Sequence, residues 1–338
     1  MTSSSLFSIA IAQAQAGTDL SEDQTSQLID AMLRGEAAEQ DVATLLLALR
    51  EKGESVSELV GAARAMRRHM TQIPHSHSLL LDTCGTGGSG SGTFNISTAV
   101  AIVAAAAGVA VAKHGNRKAT SLSGSADVLE VLGVPIESEP ELVAQRLDQH
   151  GVCFCFAAKL HPAMRHVIGV RRQLGVKTLF NLLGPLCNPA GATHQLLGTP
   201  DPATQRLVAS AIASLGTTRS FVVHAADGQD EVSLDDATHV IDVRTANVDH
   251  YGWTPADFGL PSAKRAALAA ANPRESAEII RRVFAGERGP CRDVVLAGTA
   301  AALVLVGMAD NVAEGVARAA ETIDSHAATE KLASLATL

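Results

Sequence analysis

Along residues 1–75, apolar positions recur at the three- and four-residue intervals of amphipathic helices, with recognisable starts and stops between them. Ser21 with Gln24 forms a capping-box pattern ahead of Leu28, Ile29, Met32 and Leu33, and Gly35 follows as a stop. Asp41 stands before VATLLLALREKG, where Val42, Leu45, Leu46 and Leu49 share one face and Gly53 closes the run. Ser55 with Glu58 starts the next helix, in SELVGAARAMRRHM. Helices this short must bury their apolar stripes against one another, another domain or another subunit. Pro74 and the polar HSHS stretch mark the exit.

From Leu79 the pattern changes to short apolar runs alternating with helices, the signature of an α/β domain with a mostly parallel central sheet. The runs predict strands at 79–82, 109–112, 152–156, 195–198, 220–224 and 239–243, with helices in SADVLEVLG, PELVAQRLDQHG and DPATQRLVASAIASLG. The turn-rich segment from Asp242 to Ala271 has no clear period, and Ala-rich helices close the chain. The expected architecture is therefore α/β with a small all-helical N-terminal domain, residues 1–75 followed by residues 76–338. In such sheets, ligand loops lie at the carboxyl ends of the strands.

Composition narrows the function. The 338 residues include 27 Lys and Arg against 35 Asp and Glu, a formal charge of −8, with one Trp and one Tyr. That balance argues against nucleic acid as a partner, which calls for a basic face and stacking rings. The five cysteines are odd in number and scattered, so free thiols in a reducing compartment are expected, with Cys153 and Cys155 as buried strand residues. The longest apolar runs fall short of the roughly 18 residues of a membrane span. No Lys or Arg precedes Arg34, so the N-terminus reads as a cytoplasmic first helix.

Candidate chemistry lies in four clusters. After LLLDT comes CGTGGSGSGTFNIST, with five glycines between Gly85 and Gly92 ahead of a helix, a backbone arrangement suited to phosphate. Gly85, Gly87 and Gly90 satisfy G-x-G-x-x-G, but the acidic ribose ligand expected about 20 positions later is absent. Gly92 is followed by Thr93 and Phe94 with no Lys, which excludes a Walker loop. The remaining donors are Thr93, Asn95, Ser97 and Thr98.

The second cluster places Lys113, His114, Arg117 and Lys118 just beyond an apolar strand, with Thr120, Ser121, Ser123, Gly124 and Ser125 before another helix. Two such loops point to a ligand with two separated phosphate groups. The third is Asp230 and Glu231 beyond a strand end, hard oxygen donors that suit Mg2+ beside a phosphate. The fourth is a helix after His161 and Pro162 carrying Arg165, Arg171 and Arg172, where an arginine can clamp a carboxylate.

Taken together, DTCGTGGSGSGTFNIST, VAKHGNR with SGSADVLEVLG, HPAMRHV with VKTLFNLLGPLCNP, and GQDEVS resemble the anthranilate phosphoribosyltransferase family of tryptophan biosynthesis. The resemblance implies a helical domain completed by helices near 161–188, an α/β domain shared with pyrimidine nucleoside phosphorylases, and a homodimer formed through the helical domains. It implies that phosphoribosyl pyrophosphate is held by Gly85, Gly88, Ser89, Thr93, Asn95, Ile96, Ser97 and Thr98 on the first loop. On the second loop it implies Lys113, His114, Gly115, Asn116, Arg117, Lys118, Ala119, Thr120, Ser121 and Ser125. Anthranilate would meet Gly85, Asn116, His161 and Arg171, and Mg2+ would meet Ser97, Asp230 and Glu231. No side chain is implied as nucleophile or base. The family usually has Asp where this chain has Ser89, which implies weaker substrate contacts. A nucleoside phosphorylase is disfavoured because its Lys-x-Ser-x-Gly-Gly-Val-Gly-Asp-Lys loop is missing. A non-catalytic nucleic-acid-binding relative would have lost GTGG and KHGN, which this chain keeps.

Overall fold

The computed structural model describes residues 3–87, 90–118 and 122–337. Four helices come first: α1 (Ser3–Gln15), α2 (Glu22–Leu33), α3 (Glu39–Lys52) and α4 (Val56–His69). Both capping boxes form. Ser21 Oγ accepts from Gln24 N at 3.2 Å and Gln24 Oε1 accepts from Ser21 N at 2.9 Å, and Ser55 and Glu58 repeat the exchange. The start of α3 differs from expectation: Ala38 is the cap, without a side-chain bond, and Asp41 lies inside the first turn. There its charge favours the helix through the dipole rather than through a cap.

Glu58 does more than cap. Its wholly buried carboxylate also accepts from Leu20 N at 2.9 Å and pairs with Lys52 Nζ at 3.1 Å, so it ties the α1–α2 link to α4. Glu58→Ala leaves the amides of Leu20 and Ser55 short of a partner, while Lys52 Nζ keeps Asp19 and Gly53 O at 2.6 Å, and is expected to cost about 3 kcal/mol. The shift in the urea midpoint measures it; a loss below about 1 kcal/mol contradicts this account.

The α/β region contains β1 (Leu81–Gly85), α5 (Ile96–Ala106), β2 (Val111–Gly115), α6 (Ser125–Val131), α7 (Pro140–His150), β3 (Val152–Phe156), α8 (Ala157–Leu160), α9 (Ile168–Leu174), α10 (Phe180–Leu183) and β4 (His194–Gly198). It continues through α11 (Pro202–Leu215), β5 (Arg219–Ala225), β6 (Thr238–Arg244), β7 (Val248–Trp253), α12 (Pro273–Phe284), α13 (Pro290–Leu305), α14 (Val312–Asp324) and α15 (Ala327–Ala336). One sheet runs β3-β2-β1-β4-β5-β6-β7, parallel from β3 to β5 and antiparallel at β6 and β7. One face packs on α5 and α13. Leu197, Val222 and Ile241 on the other join a core shared with the N-terminal helices and α11. Around that core, α9 packs on α3, α10 on α4, and residues 162–166 on α2.

Two predicted strands are displaced. The strand expected at 79–82 runs from Leu81 to Gly85, and that at 109–112 from Val111 to Gly115. The polar residues Thr83, Lys113 and His114 thus belong to the sheet, paired with β4 or β3, rather than to loops beyond it. β7 lies in the segment without period, because its residues up to Gly252 are exposed. The five cysteines are free thiols, with Cys153 and Cys155 buried in β3. Among the described residues, no helix is long and apolar enough to cross a membrane.

Candidate active site

The parallel strands end together, and the site is assembled on those ends. On β1, the buried Asp82 carboxylate accepts from His114 N at 3.1 Å and from Asn188 Nδ2 at 2.9 Å; Asn188 also donates to Ala112 O at 2.8 Å. Burial raises the Asp82 carboxyl, opposed by Lys113 and these bonds. Lys113 does not project into solvent as a loop cation would. It is buried beneath the strand ends, where Nζ donates to Thr83 O at 2.5 Å and to Ser97 Oγ at 3.2 Å. Burial lowers its pKa, against the pull of Asp82 and Glu231.

Ser97 opens α5 and faces the carboxylate turn. Its amide donates to Glu231 Oε1 at 3.1 Å, where the helix N-terminus favours negative charge. Asp230 closes in from β5: its Oδ2 would lie 3.4 Å from a Cβ on Gly85, and its carbonyl oxygen 1.7 Å from a Cβ on Gly198. Only glycine at 198 lets the carboxylate turn seat against β4. Burial, and then the neighbouring Asp230, push the Glu231 carboxyl up to about 8. Two crowded carboxylates beside a hydroxyl form an all-oxygen donor set, which fits Mg2+. Among the described residues no group of three or more His, Cys, Asp or Glu exists that could hold a metal by itself, so substrate oxygens or water must complete the shell.

Other first-loop residues also make contacts within the protein. Asn95 Oδ1 accepts from Ser123 Oγ at 2.7 Å and Ser276 Oγ at 2.8 Å, and its Nδ2 donates to Ser123 O at 3.1 Å. It therefore braces the two loops and α12 together. The Thr98 and Ile96 side chains are buried in the core, leaving only their backbone at the helix start, and Thr93 Oγ1 lies 3.1 Å from Ser91 Oγ.

On the second loop, Ser125 fills the space a Gly115 side chain would need, and its Oγ donates to Asn116 O at 3.4 Å. Asn116 and Lys118 are exposed. Arg117 turns outward to Glu130 at 2.9 Å and Asp127 at 3.5 Å. Gly88, Ser89, Ala119, Thr120 and Ser121 lie outside the described residues.

The opposite wall comes from residues 161–188. His161 Nε2 lies 3.1 Å from His114 Nε2, and His114 Nδ1 donates to Gly184 O at 2.9 Å. Burial depresses both imidazoles, His114 to about 3 and His161 to about 4, so the pair is neutral near pH 7. The predicted helix bearing the arginines is split: Arg165 sits in the tight turn at 162–166, and Arg171 and Arg172 on α9. The Arg171 guanidinium is half-buried over Phe180, 5.3 Å from the ring centroid, with no acidic partner among the described residues. A cleft of about 410 Å3 opens beside Thr86 and Gly87, between Arg50 and Glu54 of the helical part and Lys177, Thr178 and Asp201.

Sequence reasoning did not single out Asp82, Asn188, Ser276, Phe180 or Gly198. A carboxylate ending the apolar run LLLD was a usable signal for Asp82. The others depend on contacts between distant segments.

The helical part, residues 9–70, matches the model of the glycosyl transferase family helical bundle domain, and residues 77–329 match that of the glycosyl transferase family a/b domain. The anthranilate phosphoribosyltransferase of Rhodopirellula baltica is 67% identical, over 98% of this chain and 96% of its own length. The crystal structure of the Thermus thermophilus enzyme of that name superposes with a TM-score of 0.90 at 42% identity, covering 96% of this chain and 99% of the other. The Saccharomyces cerevisiae enzyme, solved with phosphoribosyl pyrophosphate and Mg, superposes at 0.91 with 28% identity and 99% of each chain covered. With two family models and relatives matched nearly end to end, the chain belongs to the anthranilate phosphoribosyltransferase family.

Proposed function

We propose that this chain transfers the 5-phosphoribosyl group from phosphoribosyl pyrophosphate to the amine of anthranilate, giving N-(5-phosphoribosyl)anthranilate and pyrophosphate in tryptophan biosynthesis. The observations that carry the reading are an acid turn clasped to a helix N-terminus and a half-buried arginine with no acidic partner among the described residues. Gly85, Gly88, Ser89, Thr93 and Asn95 hold the diphosphate ester from the first loop, with the start of α5 at Ile96, Ser97 and Thr98 offering backbone amides. The second loop, from Lys113 to Ser121 with Ser125, closes on it from the other side. Lys113 serves from beneath by fixing Ser97.

Ser97, Asp230 and Glu231 hold Mg2+, which offsets the charge of the departing pyrophosphate. Anthranilate lies between Gly85, Asn116 and His161, its carboxylate on Arg171. The arylamine is neutral at pH 7, so its lone pair can attack C1 as the C1–oxygen bond to pyrophosphate breaks. The nitrogen then gives up its extra proton to solvent. The neutral His114–His161 pair adds no competing cation for the carboxylate, and catalysis rests on positioning and charge.

In this reading residues 1–75 with 161–188 form one body and the rest of 76–338 the other. The enzyme is a cytoplasmic homodimer through the helical body, for which the exposed Ile9 of α1 gives support. Mixing the protein with phosphoribosyl pyrophosphate, Mg2+ and anthranilate should quench anthranilate fluorescence, and omission of any one component should abolish the change. Quenching that persists without phosphoribosyl pyrophosphate, or none with all three present, overturns the assignment.

A further inference from the structure

We propose that Phe180 is a positioning residue for the aromatic acid: its ring holds the Arg171 guanidinium in the orientation that receives the carboxylate. The proposal rests on the reading of Arg171 given above. Arg171 has no hydrogen-bonded or ionic partner for its head group among the described residues, and its guanidinium carbon lies 5.3 Å from the Phe180 ring centroid. A long side chain so unpaired would sample many rotamers, and freezing it when ligand arrives costs affinity. A ring beneath the cation restricts that motion in advance, is more effective where water is excluded, and consumes none of the N–H donors needed for a two-point grip on a carboxylate.

The ring itself is fixed. Phe180 is 6% exposed, flanked by the buried Leu179 and Leu183 in the apolar core shared with α4. The turn before it is closed by Thr178 N donating to Asn181 Oδ1 at 2.9 Å and Asn181 N donating to Thr178 O at 2.8 Å. α9, which bears Arg171, is anchored separately against α3. Two elements with separate anchors thus meet at this cation–ring contact.

The test is steady-state kinetics on the full-length enzyme. Phe180→Leu keeps an apolar side chain but removes the ring face, and should raise the anthranilate KM about tenfold while leaving the phosphoribosyl pyrophosphate KM nearly unchanged. Phe180→Tyr should restore the anthranilate KM to within about twofold of the parent. In an Arg171→Ala background, Phe180→Leu should add nothing further. If Phe180→Leu does not fold, Phe180→Met carries the same comparison. Equal changes in both KM values, no difference between the leucine and tyrosine variants, or an additive loss in the Arg171→Ala background each overturn the proposal while leaving Arg171 in place. An anthranilate KM unmoved by Arg171→Ala itself overturns the underlying reading as well.

Discussion

Arg171→Ala is expected to raise the anthranilate KM by about a hundredfold, with the phosphoribosyl pyrophosphate KM held within about twofold. The size follows from the arginine's surroundings. Burial lowers its pKa, which marks a site where water screens poorly, and no Asp or Glu among the described residues shares the charge. A charge-assisted, two-point contact in such a place is worth a few kcal/mol, whereas an exposed ion pair is worth about 1 or less. Arg171→Lys should recover only part of the loss, since an ammonium cannot reproduce the planar fork. Initial rates with each substrate varied in turn measure the effect. A parallel rise in both KM values would remove Arg171 from the carboxylate.

The second large effect is at the acid turn. Asp230→Asn with Glu231→Gln should lower kcat/KM about a thousandfold and move the Mg2+ dependence to higher concentration, because the carboxylates that would hold the charge-balancing cation are lost. Stability should move the other way. Glu231 is raised to about 8 by burial and by Asp230, so between the ordinary glutamate pKa and about pH 8 the native state binds more protons than the unfolded chain. Glu231's share of the metal-free parent's stability is therefore lost as pH rises through that window, against the opposite slope of the depressed His114 and His161, so the neutral pair should gain stability relative to the parent between pH 5 and pH 8. Denaturant melts with EDTA at pH 5 and pH 8 test this directly. A variant that is inactive but unaltered in its magnesium titration, or that melts with the parent's pH slope, would contradict the assignment.

What the sequence made legible was whatever depends on near neighbours. Ser21 with Gln24 and Ser55 with Glu58 cap their helices because all the partners lie within three residues. The ends of β1 and β2 were misplaced because apolarity marks a strand only while its side chains meet a core. Lys113 sits in a strand but satisfies itself with Thr83 and Ser97, drawn from other segments. Phosphate loops, the acid turn and the arginine helix were recognisable by residue type. The outward turn of Arg117 to Glu130, the inward burial of Thr98 and the bracing role of Asn95 were not, since each is decided by what a distant helix presents to it.

The seating of Asp230 against Gly198 extends the list of residues on which chemistry depends to one with no chemical group at all. In a saturation library selected for tryptophan prototrophy, position 198 should be as barren as the acid positions. Survivors with a side chain there should carry a compensating change in the turn that moves the Asp230 carbonyl away.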